Sequence, residues 1–257
     1  MIRRIVVVVP AANEEQHIAR CLSSIAAARS TLRAGNPSVQ VRITVVPDSC
    51  TDLTAQIARA HGVQVVPVWM ANVGAARRAG ARAALAGTQA GELWLASTDA
   101  DSEVPTGWLT GMLAEARRGA HVVLGTVLPA PDLCPEIRAE WLSRHHLRDG
   151  HPHIHGANFG IRGDAYNAVG GWQPLATGED VDIARRAAQN SHLNIAHCLD
   201  PRRNQRPLGR ARTARLLQLS AGPQRPGSPG RHACHRGIAE LITWHCCVAP
   251  SLNSVGA

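Results

Sequence analysis

The feature that most constrains the fold of this chain is an alternation of apolar runs and helical patterns over its first hundred residues. Four short apolar runs are each followed by hydrophobic residues at helical spacing. The runs span residues 2–9, 41–46, 63–68 and 92–96. Because the connections between them are short, the pattern predicts right-handed βαβ units. We therefore expect an α/β fold with a mostly parallel sheet flanked by helices.

The same patterns predict where individual elements begin and end. Pro10 is expected to end the first strand, and Asn13 to cap the helix that follows. Leu53 and Ile57 are expected to pack a short second helix, and Asn72 to open a third. Further helices are predicted at 105–119, 135–147, 164–169 and from residue 179, and further strands at 122–128 and 156–162.

Two carboxylates, Asp99 and Asp101, follow the fourth apolar run. If the chain stays extended there, both side chains point into the same crevice at a spacing of roughly 6.5 Å. A divalent cation would relieve the repulsion between them, so the pair predicts a site for a metal ion and a nucleotide-sugar diphosphate. The alternative is a surface loop in which Asp caps the helix that starts near Pro105.

Other polar clusters also follow the predicted strands. They are Asn13-Glu14, Asp48 and Asn72-Val73-Gly74. Ligands of parallel α/β sheets bind beyond the carboxyl ends of the strands. We therefore expect these clusters to meet Asp99 and Asp101 at one crevice.

Three later segments allow more than one interpretation. The small residues of segment 156–162 indicate a strand that a ligand or another backbone approaches closely. Glu179 and Asp180 precede a helical pattern, where carboxylates favour the helix dipole and capping is the simplest interpretation. A histidine cluster either ligates a transition metal or lies in a solvated loop, and its spacing matches no zinc pattern. Its members are His145, His146, His151, His153 and His155.

The formal net charge of +8 is confined to the C-terminal part of the chain. Residues 196–257 hold nine Arg and two acidic residues, or +7, whereas residues 1–195 hold 18 Arg and 17 acidic residues, or +1. Nucleic-acid binding requires a basic face on the folded domain, so we do not expect it here. We expect a catalytic domain at 1–195 and a low-order Arg- and Pro-rich tail at 196–257.

Cysteine usage and hydropathy indicate the compartment. The seven Cys are odd in number and irregular in spacing, which is typical of reduced thiols and not of a disulfide framework. The first apolar run ends at Pro10, too early for a signal peptide or a spanning helix. We expect a cytoplasmic protein without an integral membrane segment, or one that lies peripherally on the inner membrane face.

Seven short motifs, taken in order, resemble glycosyltransferase family 2, whose members have the GT-A fold and use nucleotide-diphosphate sugars. The motifs are Val8-Val9-Pro10-Ala11-Ala12-Asn13-Glu14-Glu15, Val45-Val46-Pro47-Asp48-Ser49-Cys50-Thr51-Asp52, Asn72-Val73-Gly74-Ala75-Ala76-Arg77, Asp99-Ala100-Asp101, Gly156-Ala157-Asn158-Phe159, Gly170-Gly171-Trp172 and Gly178-Glu179-Asp180. Each motif is weak alone. Their shared order and approximate spacing over residues 5–190 make the resemblance specific.

The resemblance implies a nucleotide-sugar site formed by Pro10, Asn13, Glu14, Asp48, Gly74, Arg77, Asp99 and Ala100. In that site Asp48 would bond the nucleoside, Asp99 would face the ribose, and Arg77 would meet either phosphate or the Asp loop. Asp101 would hold the divalent ion, Mg or Mn, that bridges the diphosphate.

On the acceptor side, the resemblance implies that Gly156, Ala157 and Asn158 border the sugar and the acceptor. Asp180 would be the general base and Glu179 would position it or the acceptor. The implied reaction is metal-dependent, non-processive transfer of a hexosyl unit, with inversion, to a hydroxyl of a glycan, lipid or small metabolite.

Two other functions remain open. A sugar-phosphate nucleotidyltransferase shares the sheet order, but it needs a Gly-rich loop, and residues 10–15 contain no Gly. The second open function is that of a catalytically impaired nucleotide-sugar-binding protein with a disrupted C-terminus.

The chain departs from the family pattern at two places. Pro47 stands where the family often has an acidic residue. After about Ile195 the regular pattern stops, and residues 200–236 are dense in Arg, Pro and Gly. This composition predicts either a disordered basic tail or a shift of the reading frame near residue 198.

Overall fold

The computed structural model of the protein describes residues 1–129, 134–145 and 149–197, together with the backbone of residues 206–207. The described strands are β1 (Arg4–Ala11), β2 (Gln40–Pro47), β3 (Gln64–Val65), β4 (Leu93–Ser97), β5 (Ser102–Glu103), β6 (Val122–Leu124), β7 (Phe159–Arg162), β8 (Ile195–His197) and β9 (Arg206–Pro207). The described α-helices are α1 (Ile18–Gly35), α2 (Thr54–Ala60), α3 (Val73–Leu85), α4 (Trp108–Arg117), α5 (Pro135–Arg144), α6 (Gly163–Ala168) and α7 (Glu179–Ala188). No helix in these residues is long and apolar enough to cross a bilayer.

Seven strands form one sheet in the order β3-β2-β1-β4-β7-β6-β8. The pairs of β1 with β2 and β4, of β2 with β3, and of β6 with β8 are parallel, whereas β7 is antiparallel to both of its neighbours. A separate antiparallel ribbon joins β5 to β9. The predicted α/β fold with a mostly parallel sheet and flanking helices is therefore confirmed.

Helices cover both faces of the sheet. Successive side chains of β1 point to opposite faces, so this strand contributes to the core on both sides. Ile5, Val7 and Val9 pack in one core cluster with residues of α1 and α4, and Val6 and Val8 pack in a second with residues of α3 and α7. Fully burying such a side chain contributes about 1.5–3 kcal/mol. The helix predicted at 105–119 is observed as α4, and its Trp, two Leu and Met residues are all buried.

The prediction that Pro10 ends the first strand is wrong, because β1 continues to Ala11. The Val8 carbonyl accepts the Thr98 N–H on the β4 side, and the Ala11 carbonyl accepts the Asp48 N–H on the β2 side. Backbone groups alternate sides along a strand, so position 10 faces β4, as position 8 does. The N–H that Pro10 lacks would therefore point toward β4, just beyond Ser97, the last residue of β4 that is paired with β1. The proline therefore ends the ladder with β4 but not the strand, whose pairing with β2 continues to Ala11.

Two smaller predictions are also wrong. Leu53 does not pack the second helix, since it is 52% exposed at the residue before α2. The third strand is only Gln64–Val65, although the chain follows β2 further through the Val66 and Val68 amides. Pro67 removes no hydrogen bond to β2, because the N–H that it lacks lies between those of Val66 and Val68 and would point away from β2.

Two short strands, β8 and β9, lie at the end of the described part of the chain, where the regular sequence pattern stops. β8 pairs with β6 over three residues at the edge of the sheet. β9 pairs with β5 over two residues through backbone groups, so this pairing does not depend on a hydrophobic pattern in the sequence. The Arg- and Pro-rich segment 208–257 and Cys198 lie outside the described residues. The division into a catalytic domain and a tail, and the frame shift, therefore stay predictions.

Candidate active site

The polar clusters predicted from the sequence lie at one edge of the sheet. Val8 is paired with Ser97, and Ser97 with Phe159, so the ends of β1 and β4 adjoin the start of the antiparallel β7. Pro10 is paired with Val46 at the end of β2. The loops after β1, β2 and β4 and the 3-10 turn before β7 therefore face the same side of the molecule.

The loops after β1 and β2 are tied together by side-chain hydrogen bonds. Asn13 Oδ1 accepts the Thr51 N–H at 2.8 Å, and the Thr54 hydroxyl accepts the Glu14 N–H at 2.7 Å. Asn13 adopts a left-handed conformation with φ of 54°, and α1 begins later, after His17. The prediction that Asn13 caps α1 is therefore wrong, because its side chain is used across the loops. The Asp52 carboxylate, which the sequence reasoning missed, joins them by accepting the Glu15 N–H.

Asp48 folds the loop that leads from β3 into α3. Its carboxylate accepts the N–H groups of Met70, Ala71 and Asn72 at 2.7, 2.9 and 2.7 Å, and the Ser49 hydroxyl at 3.0 Å. Burial acts to raise the pKa of Asp48, but these hydrogen bonds outweigh it and hold the pKa below its ordinary value. Asp48 is thus first a loop anchor, and its contact with a nucleoside stays a prediction.

Arg77 of α3 is the centre of a buried polar network. Its guanidinium donates to Asp99 Oδ1 at 2.6 Å, to Glu179 Oε1 at 3.2 Å, to the Gly156 carbonyl at 3.0 Å and to the Ser97 hydroxyl. The residue is 1% exposed. Of the two partners predicted for Arg77, phosphate and the Asp loop, the structure shows the Asp loop. Two carboxylates compensate the buried cation, which would otherwise be costly to desolvate.

The glycines near this network make room for backbone and for Arg77. A Cβ on Gly156 would lie 2.6 Å from Arg77 Nη2. A Cβ on Gly74 would overlap the Gln173 carbonyl and lie 2.8 Å from the Leu175 nitrogen. Gly74, which was expected beside the nucleotide, therefore lets α3 pack against the backbone of the 173–175 segment.

The expectation that the chain stays extended from Asp99 to Asp101 is wrong. The Ser102 N–H donates to the Asp99 carbonyl at 3.1 Å, so the chain turns between them. Asp99 is bonded to Arg77, whereas Asp101 accepts the Ser102 hydroxyl at 3.3 Å. Ala100, expected at the nucleotide, is buried in the core. The alternative of an Asp cap is also wrong, because α4 begins after Gly107 and has no side-chain cap.

Asp101 and Glu14 lie near the buried thiol of Cys21. Burial is the main cause that raises the pKa of Cys21, and the negative charges of Asp101 and then Glu14 raise it further. The thiol is therefore protonated and structural, and it donates to the Asp99 carbonyl at 3.4 Å. This places the two carboxylates on the α1 side of the same sheet edge.

These groups fit a metal ion only if the substrate supplies ligands as well. In residues 1–129, 134–145 and 149–197 no group of three or more His, Cys, Asp or Glu side chains is arranged to hold an ion. Mg²⁺ is commonly bound by one or two carboxylates together with substrate phosphates. The buried carboxylate of Asp101 at the sheet edge suits an ion shared with a diphosphate.

The four histidines of the cluster that the structure describes are packed ring against ring and do not form a metal site. His145 stacks on Trp141 with centroids 3.6 Å apart, and its ring lies 4.6 Å from that of His153. The transition-metal interpretation is therefore wrong for the four members that the structure describes, while His146 lies outside the described residues. Burial first, and then the nearby His145, lowers the pKa of His155 to about 3, although Asp180 acts in the opposite direction.

Glu179 and Asp180 occupy the first turn of α7 and point to different partners. Glu179 is buried against Arg77, whereas the half-buried Asp180 accepts the Gly156 N–H at 2.8 Å through Oδ2. The residue before the helix is Gly178, which provides no side-chain cap. Asp180 is thus held beside the turn that precedes β7, one residue from the carboxylate that binds Arg77.

The turn before β7 presents backbone and not side chains to the crevice. The Asn158 side chain is fully buried, where it donates to the Thr126 carbonyl and accepts the Trp108 indole N–H. Ala157 is also buried in the core. The core and the loop after β6 thus hold these two side chains, and the expectation that residues 156–158 border the sugar and acceptor stays a prediction, which only their backbone could fulfil.

The chain is similar in sequence to known proteins. Residues 6–169 match the family model described as Glycosyl transferase family 2. Proteins of Mycobacterium tuberculosis and Mycobacterium bovis, each named an uncharacterized glycosyltransferase, are 33% identical over 129 residues, which is 50% of this chain and 51% of theirs. The chain thus spans about half the length of these curated relatives.

Two solved structures have a similar fold. S. aureus TarS, residues 1–349, is 13% identical, with a TM-score of 0.58 over 84% of this chain and 64% of that one. A glucosyl-3-phosphoglycerate synthase from Mycobacterium tuberculosis is 20% identical, with a TM-score of 0.50 over 76% of this chain and 69% of that one. At these identities the likeness concerns the fold alone.

Proposed function

Because the chain belongs to glycosyl transferase family 2, we propose that it transfers a sugar from a nucleotide-diphosphate sugar to an acceptor hydroxyl. The observation that carries the proposal is the Arg77 network, which joins the Asp99 loop to the first turn of α7. Arg77 thus holds Asp99, which we assign to the donor site, in a fixed position relative to Glu179 and the adjacent Asp180, which we assign as the base. We further propose a hexosyl unit, inversion and a non-processive reaction.

The donor is bound at the carboxyl ends of β1, β2 and β4. The loops that hold Asn13, Glu14 and Asp48 form the nucleoside wall, and their mutual hydrogen bonds fix its shape before the donor binds. Preorganised walls lower the entropy lost on binding. TarS has been crystallised with UDP-GlcNAc, and the glucosyl-3-phosphoglycerate synthase with UDP and Mn²⁺, so UDP is the first nucleotide to test.

Asp101 would hold the divalent ion, Mg or Mn, which when bound offsets negative charge on the departing diphosphate. Asp180 takes the proton from the acceptor hydroxyl as that oxygen attacks the anomeric carbon. The Gly156 N–H orients the Asp180 carboxylate through Oδ2. Glu179 positions Asp180 indirectly, because its own carboxylate fixes the start of α7 against Arg77.

A nucleotide-sugar panel tests this proposal. Ligands that bind only the native protein raise its melting temperature, so one donor should stabilise the protein in the presence of Mn²⁺. That donor should then be hydrolysed slowly, or its sugar transferred to an added acceptor. Stabilisation without any turnover would instead support an impaired nucleotide-sugar-binding protein, and no stabilisation by any donor would contradict both functions.

A further inference from the structure

Two segments beside the candidate active site expose large apolar side chains: the loop before α3, and the loop that leads into α7 together with the first turn of that helix. Trp69 and Met70 are 79% and 59% exposed, and Leu175 and Val181 are each 39% exposed. We call these four residues the apolar rim. Other exposed large hydrophobic residues in the described part of the chain are only Met1 and Leu53. The concentration of four at one place calls for a physical reason.

The rim is continuous with the site. Asn72 Nδ2 donates to the Pro174 carbonyl at 3.0 Å, and the Gly74 N–H donates to the Leu175 carbonyl at 3.1 Å, which joins the two loops. Val181 directly follows Asp180, the proposed base. Trp69, Met70 and Leu175 therefore lie on loops that are joined to each other, and Val181 lies next to the proposed base.

The loop that carries Trp69 and Met70 is held in a costly conformation. Ala71 has φ of 46°, a left-handed conformation that L side chains rarely adopt. The buried Asp48 carboxylate holds it through the amides of residues 70–72. A fixed, strained loop that keeps an indole in solvent indicates that the exposure serves binding.

The charge pattern identifies the partner. Residues 62–76 and 165–178 contain no Asp, Glu, Lys or Arg, in a chain in which 18% of residues are charged. The charged residues of the two adjoining helices, α3 and α7, that are exposed are all arginine: Arg78, Arg82 and Arg185. The carboxylates on either side of Val181, those of Asp180 and Asp182, are half-buried, and Asp182 is paired with Arg186. Two uncharged segments that carry exposed apolar side chains, with exposed arginines on the helices that adjoin them, suit a bilayer with anionic headgroups, where Trp prefers the interface.

We propose that the apolar rim docks the mouth of the active site on an anionic lipid surface. The indole of Trp69 and the side chain of Met70 enter the boundary between headgroups and acyl chains, while the flanking arginines lie at the phosphates. This docking does not require turnover, so it can fail or succeed independently of the proposed transferase activity.

Trp69 supplies its own probe for the test. Of the five tryptophans in the described residues, the other four are at most 3% exposed. In a Trp244→Phe background, phosphatidylcholine vesicles containing phosphatidylglycerol should shift the emission to the blue, and brominated acyl chains should quench it. Trp69→Phe should abolish both signals, which would assign them to that indole. Absence of either change in the parent protein would overturn the proposal.

Co-sedimentation with the same vesicles tests the energetics. The variant W69S/M70S should bind at least about tenfold more weakly, since two large apolar contacts are lost. Leu53→Ser is the matched control, because it removes an exposed apolar side chain elsewhere, and its binding should be unchanged. Equal binding of W69S/M70S and the parent, or a vesicle-independent dimer that W69S/M70S abolishes, would overturn the proposal.

Discussion

At the scale of the residue, Arg77 is the side chain on which the site depends most. It is buried together with Asp99 and Glu179, and its side chain lies 5.4 Å from the centre of the Trp172 ring. Removing one member of such a group leaves buried charge without a partner. The arginine therefore connects the Asp99 loop to the start of α7.

Substituting Arg77 should destabilise the protein strongly. Arg77→Met should lower the free energy of unfolding by about 3–5 kcal/mol, measured by urea denaturation, because two buried carboxylates lose their cation. The neighbouring Arg78 is exposed, so Arg78→Met should change stability by less than about 0.5 kcal/mol. Equal effects of the two substitutions would show that the network is not an energetic centre.

His155 should make stability depend on pH. Its pKa is about 3 in the folded protein and 6.5 in an ordinary environment, so as pH falls through 6.5 the unfolded chain binds a proton that the folded chain does not. Stability from this group is thus present above pH 6.5 and declines below it, by about 2 kcal/mol between pH 7 and pH 5. The charges that face this ring are Asp180 and the imidazoles of His145, His151 and His153.

The variant His155→Gln isolates this contribution, since glutamine does not titrate. Its free energy of unfolding should change about 2 kcal/mol less than that of the parent between pH 7 and pH 5, measured by urea denaturation at each pH. Parallel losses in the two proteins would assign the pH dependence to other groups.

At the scale of the element, α3 depends on its close approach to the 173–175 segment. Gly74→Ala would place a Cβ against backbone atoms of Gln173 and Leu175, so we expect a loss of about 1–3 kcal/mol in thermal unfolding. Gly111 of α4 has open space around it, and Gly111→Ala should stabilise the protein by about 0.5–1 kcal/mol. If Gly74→Ala left the stability unchanged, α3 would not be packed against the 173–175 segment as described.

Elements were predictable from sequence where periodicity and capping agreed. Asn72 caps α3 through its side chain, as predicted, by accepting the Ala75 N–H at 2.8 Å. Asn13 has the same cap-forming side chain, but a tertiary hydrogen bond to Thr51 determines its conformation. The turn at Asp99 likewise depends on Arg77, which is 22 residues distant in sequence. Local patterns cannot encode such contacts, and so the sheet was predictable whereas the directions of the site side chains were not.

At the scale of the whole molecule, the sheet order brings distant segments to one edge. Asp48 follows β2, Asp101 follows β4, and Asp180 is bonded to the turn before β7. The sequence predicted this convergence because parallel strands end at the same edge. It did not predict that Ala157 and Asn158 would turn inward, since that depends on partners in the loop after β6 and in α4.

The measurement that tests the account most directly is calorimetric donor binding combined with a transfer assay on two variants. We expect Asp180→Asn to bind UDP-sugar with the affinity of the parent but to lose about 10²–10⁴-fold in transfer rate, since only the base is removed. Asp101→Ala should lose Mn²⁺-dependent donor binding and transfer together. Donor affinity lost in Asp180→Asn and retained in Asp101→Ala would contradict the account.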